Sequence, residues 1–206
     1  MFKGFVVGVL AVVVLVVVGG FIAIKVGMVP ANADARPSLF ERWIASTSLN
    51  ASIERGTEGV QNPLQATDDN VLSGIKLYAA HCAVCHGDSS GKPTYIGFGL
   101  YQKAPMLGRH GVEDDPDAET YWKVTHGIRL TGMPSFGLTL NDTQRWQLAT
   151  FLKNMDKLSA KPEIAWKKVT APSLPEAILR TLPVMRRPEG GENSKQRGSG
   201  SAVTPT

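Results

Sequence analysis

The sequence predicts an all-α protein, in which a single N-terminal transmembrane helix precedes one small helical domain. An uninterrupted apolar run near the N-terminus predicts the first part, and helix-start signals followed by apolar residues at helical spacing predict the second. The chain shows no convincing alternating pattern of a β-strand and no internal repeat. We divide its 206 residues into four segments: 1–28, the membrane anchor; 29–67, a juxtamembrane helix and linker; 68–160, the helical domain; and 161–206, a Pro-rich and then disordered tail.

The apolar run from Phe5 to Ile24 is 20 residues long and contains no charged side chain. With a rise of about 1.5 Å per residue, a helix of this length is about 30 Å long, which matches the thickness of the hydrocarbon core of a bilayer. Lys3 and Lys25 flank the run evenly, so the positive-inside rule does not assign its orientation. Two alternatives remain open: a signal peptide cleaved after residues 31–33 (Ala-Asn-Ala), whose apolar region would be unusually long, and a buried helix of a soluble protein.

The formal net charge of +4 raises the question of a nucleic-acid partner. Residues 66–160 carry nine Lys/Arg and ten Asp/Glu, whereas residues 161–206 carry eight Lys/Arg and four Asp/Glu. The positive excess therefore lies in the tail, and the central region has no basic surface with interleaved aromatic residues. We expect no nucleic-acid partner.

Capping signals place the helices after the anchor. Ser38 and Glu41 form a capping box that opens a short amphipathic helix, which either lies on the membrane surface or packs on the domain. Its apolar stripe consists of Leu39, Phe40, Trp43, Ile44 and Thr47. Three helices are predicted within the domain: from Asp68-Asp69-Asn70 to about His81, from Asp115-Pro116 to Gly127, and from Asn141 to about Leu158.

A long stretch rich in glycine and turn formers, residues 87–114, separates the first two of these helices. Loops of this length without secondary structure are uncommon in compact domains. The stretch therefore predicts a non-protein group inside the domain, against which the loop packs.

The two cysteines of the chain, Cys82 and Cys85, form the motif C-x-x-C-H together with His86. This spacing suits covalent haem attachment, in which each thiol forms a thioether with one vinyl group and the histidine binds the iron. Three alternatives are weaker. A thioredoxin-like redox pair needs a neighbouring βαβ pattern, a zinc site needs a second pair of ligands, and a disulfide across two residues adds little loop entropy. The motif therefore predicts one covalent haem c.

Three stretches together resemble the class I cytochromes c, and in particular their bacterial, membrane-anchored, monohaem type. They are Gly74 to Gly87, which ends in the C-x-x-C-H-G sequence, Gly132-Met133-Pro134-Ser135-Phe136, and the helix from Trp146 to Leu158. The resemblance covers about residues 68–158 and implies a small cytochrome c-like helical domain around one covalent haem. It also implies that the first and last helices cross closely, so that Gly74 and Tyr78 meet Leu148 and Phe151.

The resemblance also implies the second axial ligand of the haem iron, opposite His86. Met133 lies in a Gly-Met-Pro loop between two helices, where the family places this ligand. A thioether sulfur is a soft ligand that favours ferrous iron and raises the reduction potential. Met106, His126 and His110 are the alternatives.

Weaker assignments concern the surroundings of the haem. A ligating imidazole normally donates its other N–H to an oxygen atom, and the family uses a proline carbonyl, for which Pro105 is the candidate. Arg109 is a candidate for pairing with a haem propionate. Trp122 and Tyr95 are candidates for lining the haem, although core packing explains them equally well.

Two strong axial ligands leave no open position on the iron, which favours outer-sphere electron transfer over catalysis. The resemblance implies redox partner proteins and a place in the bacterial inner membrane, with the haem domain in the periplasm. Two other functions stay open. The chain is either the cytochrome subunit of a larger membrane dehydrogenase or terminal oxidase, or a haem peroxidase or ligand sensor from which Met133 dissociates.

Overall fold

The computed structural model describes residues 2–109 and 111–181, and all regular elements within these ranges are helices. An isolated antiparallel bridge joins Thr94 to Ser173. The all-α prediction is thus confirmed, whereas the tail beyond residue 181 and the alternative ligand His110 lie outside the described residues. The helices are α1 Phe2–Lys25, α2 Leu39–Thr57, α3 Asp68–His81, α4 Ala83–His86, α5 Tyr95–Gly99, α6 Asp117–His126, α7 Asp142–Lys153, α8 Ala160–Lys167 and α9 Glu176–Thr181.

The chain divides into two compact units, residues 1–173 and 174–206. In the second unit, the described residues form α9. In the first unit, α1 is long and apolar enough to cross a membrane, and none of its residues is buried by the rest of the protein.

The helix α2 begins at the predicted capping residue, because the backbone N–H of Glu41 donates to the hydroxyl of Ser38 (3.1 Å). Its second half packs on α6: Ile53 is buried, and a Cβ atom on Gly56 would lie 2.6 Å from Cδ1 of Trp122. The sequence leaves open whether this helix lies on the membrane surface or packs on the domain. Its C-terminal half packs on the domain.

The helices α3 and α7 cross at the centre of the domain. Gly74 permits their close approach, since a Cβ atom there would lie 2.6 Å from Cβ of Phe151. The ring of Tyr78 packs edge-on against Phe151, with 5.7 Å between the ring centroids, and Leu148 is fully buried in the same cluster. The crossing implied by the resemblance is present.

The helix α6 starts later than the capping pattern predicts. It begins at Asp117, and Pro116 occupies the N-cap position without a side-chain cap. The carboxylate of Asp115 pairs with the ammonium group of Lys123 (3.3 Å). An ion pair along the helix has thus replaced the expected capping hydrogen bond.

Ordered structure continues past the predicted domain boundary at residue 160. The capping box of Asn141 and Gln144 opens α7 as expected, but α7 ends at Lys153 and a separate helix, α8, follows. On α8, Trp166 is buried, and its ring centroid lies 5.2 Å from those of both Tyr78 and Phe151. We call residues 160–173 the C-terminal strap, because they complete the core instead of forming a tail.

Candidate haem-binding site

The C-x-x-C-H motif lies at the junction of α3 and α4. Cys82 is at once the C-cap of α3 and the N-cap of α4. Its carbonyl oxygen accepts hydrogen bonds from the backbone N–H groups of Cys85 (3.0 Å) and His86 (2.9 Å). One tight turn therefore carries two free, half-buried thiols and an imidazole.

The environment of the cysteines separates the interpretations of the motif. Burial, helped by the charge of Cys85, raises the pKa of Cys82 to about 12, and burial also raises the pKa of Cys85. A thioredoxin-like pair depends on a lowered thiol pKa, so the site does not favour that chemistry. Nor do the described residues contain a group of three or more His, Cys, Asp or Glu side chains placed to hold a zinc ion. Two thiols next to a histidine fit covalent haem best.

His86 is half-buried, and its Nδ1 atom lies 2.9 Å from the carbonyl oxygen of Pro105. Burial lowers the pKa of His86, and the hydrogen bond to Pro105 offsets this effect only in part, so the imidazole is neutral at pH 7. A neutral ring that donates from Nδ1 keeps the lone pair on Nε2 for a metal. The structure thus brings together the histidine and the proline that the resemblance pairs.

The loop that carries Pro105 is packed against the motif. The backbone N–H of Leu107 donates to the carbonyl oxygen of His86 (3.2 Å). A Cβ atom on Gly108 would lie 2.9 Å from the carbonyl carbon of Asp88, so a larger residue does not fit there. These contacts hold the Pro105 carbonyl in place independently of the imidazole.

The loop after the motif is held by the core and by the strap. The hydroxyl of Tyr78 donates to the carbonyl oxygen of Gly87 (2.9 Å). The buried carboxylate of Asp88 accepts from the backbone N–H groups of Ser90 and Ala171, both at 2.9 Å. Burial alone would raise the pKa of Asp88, but these hydrogen bonds outweigh it and lower the pKa. The strap is therefore bound to the loop by the hydrogen bond from Ala171 to the ionised carboxylate of Asp88.

Met133 lies in the loop between α6 and α7, half-buried against the same core cluster as Cys82. Its carbonyl oxygen accepts from the backbone N–H of Ile128 (3.2 Å), and further along the loop the N–H of Phe136 donates to the carbonyl oxygen of Val124 (3.0 Å). The loop is thereby tied to the end of α6, which fixes the position of the Met133 backbone.

The short helix α5 connects the motif with the Met133 loop. The hydroxyl of Thr94, at its N-cap, donates to the carbonyl oxygen of Cys85 (3.0 Å). At its C-cap, the side chain of Leu100 packs against Gly132, where a Cβ atom would lie 2.7 Å from Cδ1 of Leu100. The structure therefore links the segments that carry Cys85 and Met133 through a single short element.

Apolar side chains remain exposed on these same segments. Leu130 is 90% exposed and has a φ of +59°, the sole positive φ of a non-glycine residue in the described part of the chain. This left-handed conformation costs about 1–2 kcal/mol. On α5, Tyr95 and Ile96 are also exposed. Exposed apolar side chains on the segments that are linked to the two thiols and the imidazole fit a haem, whose faces are apolar.

The remaining predicted residues differ in how close they lie to the motif. Arg109 is exposed, and within the described ranges its guanidinium forms no ion pair. His126 is exposed and its ring lies 4.9 Å from that of Trp122, which packs on α2. Met106 is half-buried, and its sulfur atom lies beside Gly87, at 3.3 Å from the position that a Cβ atom on Gly87 would take.

Sequence reasoning missed the residues that support the loop after the motif. Asp88, Thr94 and the strap act through contacts between distant parts of the chain. The one local signal is the position of Asp88, two residues after the histidine of the motif, in a turn in which Ser90 donates to its carboxylate. A short polar residue that bonds the backbone two residues on is typical of such turns.

Comparison with known proteins agrees with the site. Residues 69–152 match the family model described as cytochrome c oxidase, cbb3-type, subunit III. No curated protein and no solved structure matches the chain significantly. The matched residues include the whole motif, Pro105 and Met133, whereas α1, α2 and the strap lie outside them. Residues 69–152 are a domain of the cytochrome c family, which implies the binding of haem c.

Proposed function

We propose that this chain is a membrane-anchored, monohaem c-type cytochrome that carries single electrons between redox partner proteins. When bound, the haem supplies a one-electron iron couple. Cys82 and Cys85 would hold it covalently, and His86 and Met133 would bind its iron. The observation that carries the proposal is the hydrogen bond between Nδ1 of His86 and the carbonyl of Pro105, which leaves Nε2 of a neutral imidazole free beside two thiols.

The packing of the chain supports electron transfer rather than catalysis. His86 is oriented by Pro105, and the Met133 loop is tied to α6 by backbone hydrogen bonds. With both ligands held by well-packed backbone, the protein keeps the iron closed to substrate. The residues then serve to set the reduction potential and to exclude water.

The length and composition of α1 support a membrane location. We place α1 in the bacterial inner membrane and the haem domain in the periplasm, where haem is attached to exported cysteines. The mass of the mature protein tests the alternative of a cleaved signal, because cleavage after residue 33 leaves a soluble carrier. Resistance of the intact chain to carbonate extraction supports the anchor.

A second candidate is a subunit of a larger oxidase complex, as the description of the matching family model suggests. This candidate predicts that the chain co-purifies in fixed stoichiometry with integral membrane subunits after mild solubilisation. A chain that purifies alone and is reduced and reoxidised by soluble partners supports the independent carrier.

Covalent attachment is tested by extraction with acidified acetone. We expect the colour to stay with the wild-type protein and to extract freely from a Cys82→Ala/Cys85→Ala variant that still binds haem. Haem that extracts from the wild type contradicts the proposal.

The ligand assignment is tested by Met133→Ala, with Met106→Ala as the matched control. Met133→Ala should abolish the weak long-wavelength charge-transfer band of sulfur-ligated ferric haem and lower the reduction potential, because the soft ligand is lost. Met106→Ala should keep the band. If Met133→Ala keeps the wild-type spectrum while His126→Ala or Met106→Ala changes it, Met133 is not the ligand. A wild-type protein that binds carbon monoxide rapidly has an open iron position, and the peroxidase or sensor function then leads.

A further inference from the structure

The first two turns of α2 carry four exposed apolar side chains. Leu39, Phe40, Trp43 and Ile44, which we call the α2 apolar patch, are between 49% and 77% exposed. The rings of Phe40 and Trp43 lie 6.0 Å apart and form a continuous aromatic surface. Such a contiguous patch is costly in water unless another surface covers it.

The haem domain does not cover this patch, since each of its four side chains is at least 49% exposed. Ile44 precedes the buried Ile53 by nine residues, which at about 100° per residue is half a turn around the helix. Glu41 also faces the domain, since its carboxylate accepts a hydrogen bond from the hydroxyl of Tyr101 (2.7 Å). The domain thus holds α2 through Glu41 and Ile53 and leaves the four side chains of the patch exposed.

The apolar character is confined to the end of α2 that is nearer to α1 along the chain. Eleven residues beyond Trp43, on the same face, stands the exposed Glu54. Residues 26–38 join α1 to α2, so the patch begins at most about 45 Å from the end of the membrane-spanning helix. The distribution fits a helix whose first turns touch an apolar layer and whose later turns stand in water.

We propose that the α2 apolar patch is inserted into the headgroup region of the bilayer that α1 spans. The inference rests on the proposed function, because it requires α1 to be an anchor. Tryptophan and phenylalanine are suited to this layer, where amphipathic helices bury their apolar face about 5–10 Å deep. The one acidic side chain of the first two turns, Glu41, is turned toward Tyr101 and away from the lipid.

The insertion orients the haem domain relative to the membrane. Through Gly56 and Trp122, α2 is packed on α6, and through Glu41 and Tyr101 it is tied to the segment between α5 and Pro105. A helix that is fixed to the domain at two points and to the bilayer at a third leaves the domain little freedom to rotate. The same face of the haem domain therefore stays turned toward solvent and toward the redox partners.

The test uses the full haem-loaded chain in lipid vesicles, with one nitroxide spin label at a time. Haem attachment consumes Cys82 and Cys85, so a single introduced cysteine takes the label. Trp43→Cys places the label in the patch, and Glu54→Cys is the matched control on the same face, three helical turns farther on. Power-saturation spectroscopy then compares the collision of each label with oxygen, which concentrates in lipid, and with a water-soluble nickel chelate.

We expect the label at position 43 to collide mainly with oxygen and the label at position 54 mainly with the nickel chelate. A label at position 43 that is as accessible to nickel as the control overturns the inference while leaving the anchor intact. A label there that is shielded from both reagents also overturns it, because the patch is then packed against protein. Loss of the chain from the vesicles on carbonate washing refutes the membrane anchor itself. A haem absorption spectrum of the same sample shows separately whether the haem-binding site is intact.

Discussion

Replacing Gly74 with alanine tests how much the close crossing of α3 and α7 stabilises the domain. The added Cβ atom would meet the backbone carbonyl of Gln147 and lie 2.6 Å from Cβ of Phe151. Ordinary contacts between such atoms are about 1 Å longer, so the two helices must separate. Neither obstacle is the flexible end of a side chain, and the site therefore cannot relax by a rotamer change.

The magnitude follows from two opposing effects. Overpacking a core costs about 1–3 kcal/mol, and a clash with backbone belongs at the upper end. Alanine regains about 1 kcal/mol over glycine in a helix, which leaves a net loss of about 2 kcal/mol. For a domain of this size that corresponds to a melting temperature lower by about 8–16 °C.

Thermal unfolding of the detergent-solubilised protein, followed by far-ultraviolet circular dichroism, measures this loss. Gly99→Ala is the matched control, because no described atom outside its own helix backbone and its two chain neighbours lies within 4 Å of the Cβ position on Gly99. We expect the control to melt within a few degrees of the wild type. If Gly74→Ala melts at or above the wild-type temperature, helix propensity outweighs the clash and the reasoning is refuted.

Three further substitutions test the supports of the haem loop. Tyr78→Phe removes the hydroxyl that satisfies the carbonyl of Gly87 and should lower the free energy of unfolding by about 1–3 kcal/mol in urea titrations; an unchanged midpoint would show that this carbonyl finds another donor. Trp166→Ala should cost about 3–5 kcal/mol because it empties the space between two buried rings. The control Ile164→Ala, on the exposed side of the same helix, should change stability by less than about 0.5 kcal/mol. Equal effects of these two variants would mean that the strap does not belong to the core.

The features predicted well from sequence are those encoded by neighbouring residues. The capping box of Asn141 and Gln144 is reproduced in full, since both of its hydrogen bonds are between residues three apart. Ser38 likewise opens α2, although the carboxylate of Glu41 accepts from Tyr101 and the predicted box is only half formed. The C-x-x-C-H motif is also local, and its spacing alone places the two thiols and the imidazole on one turn.

The features that the sequence did not predict depend on distant contacts. The proline-rich composition after residue 160 predicts a tail. Trp166 nevertheless packs against Tyr78 and Phe151, and this binding surface exists only where α3 and α7 cross. The start of α6 also differs from the prediction, because Asp115 pairs with Lys123 and does not cap the helix.

The C-terminal strap also sets the order in which an emerging chain can fold. The hydrogen bond between Ala171 and Asp88 spans 83 residues, so it cannot form until nearly the whole described chain has left the ribosome. Contacts of such long sequence separation are slow to form. Throughout that interval the loop after the motif lacks this hydrogen bond, and the core lacks the ring of Trp166. The strap therefore joins the core only after its last residues have arrived.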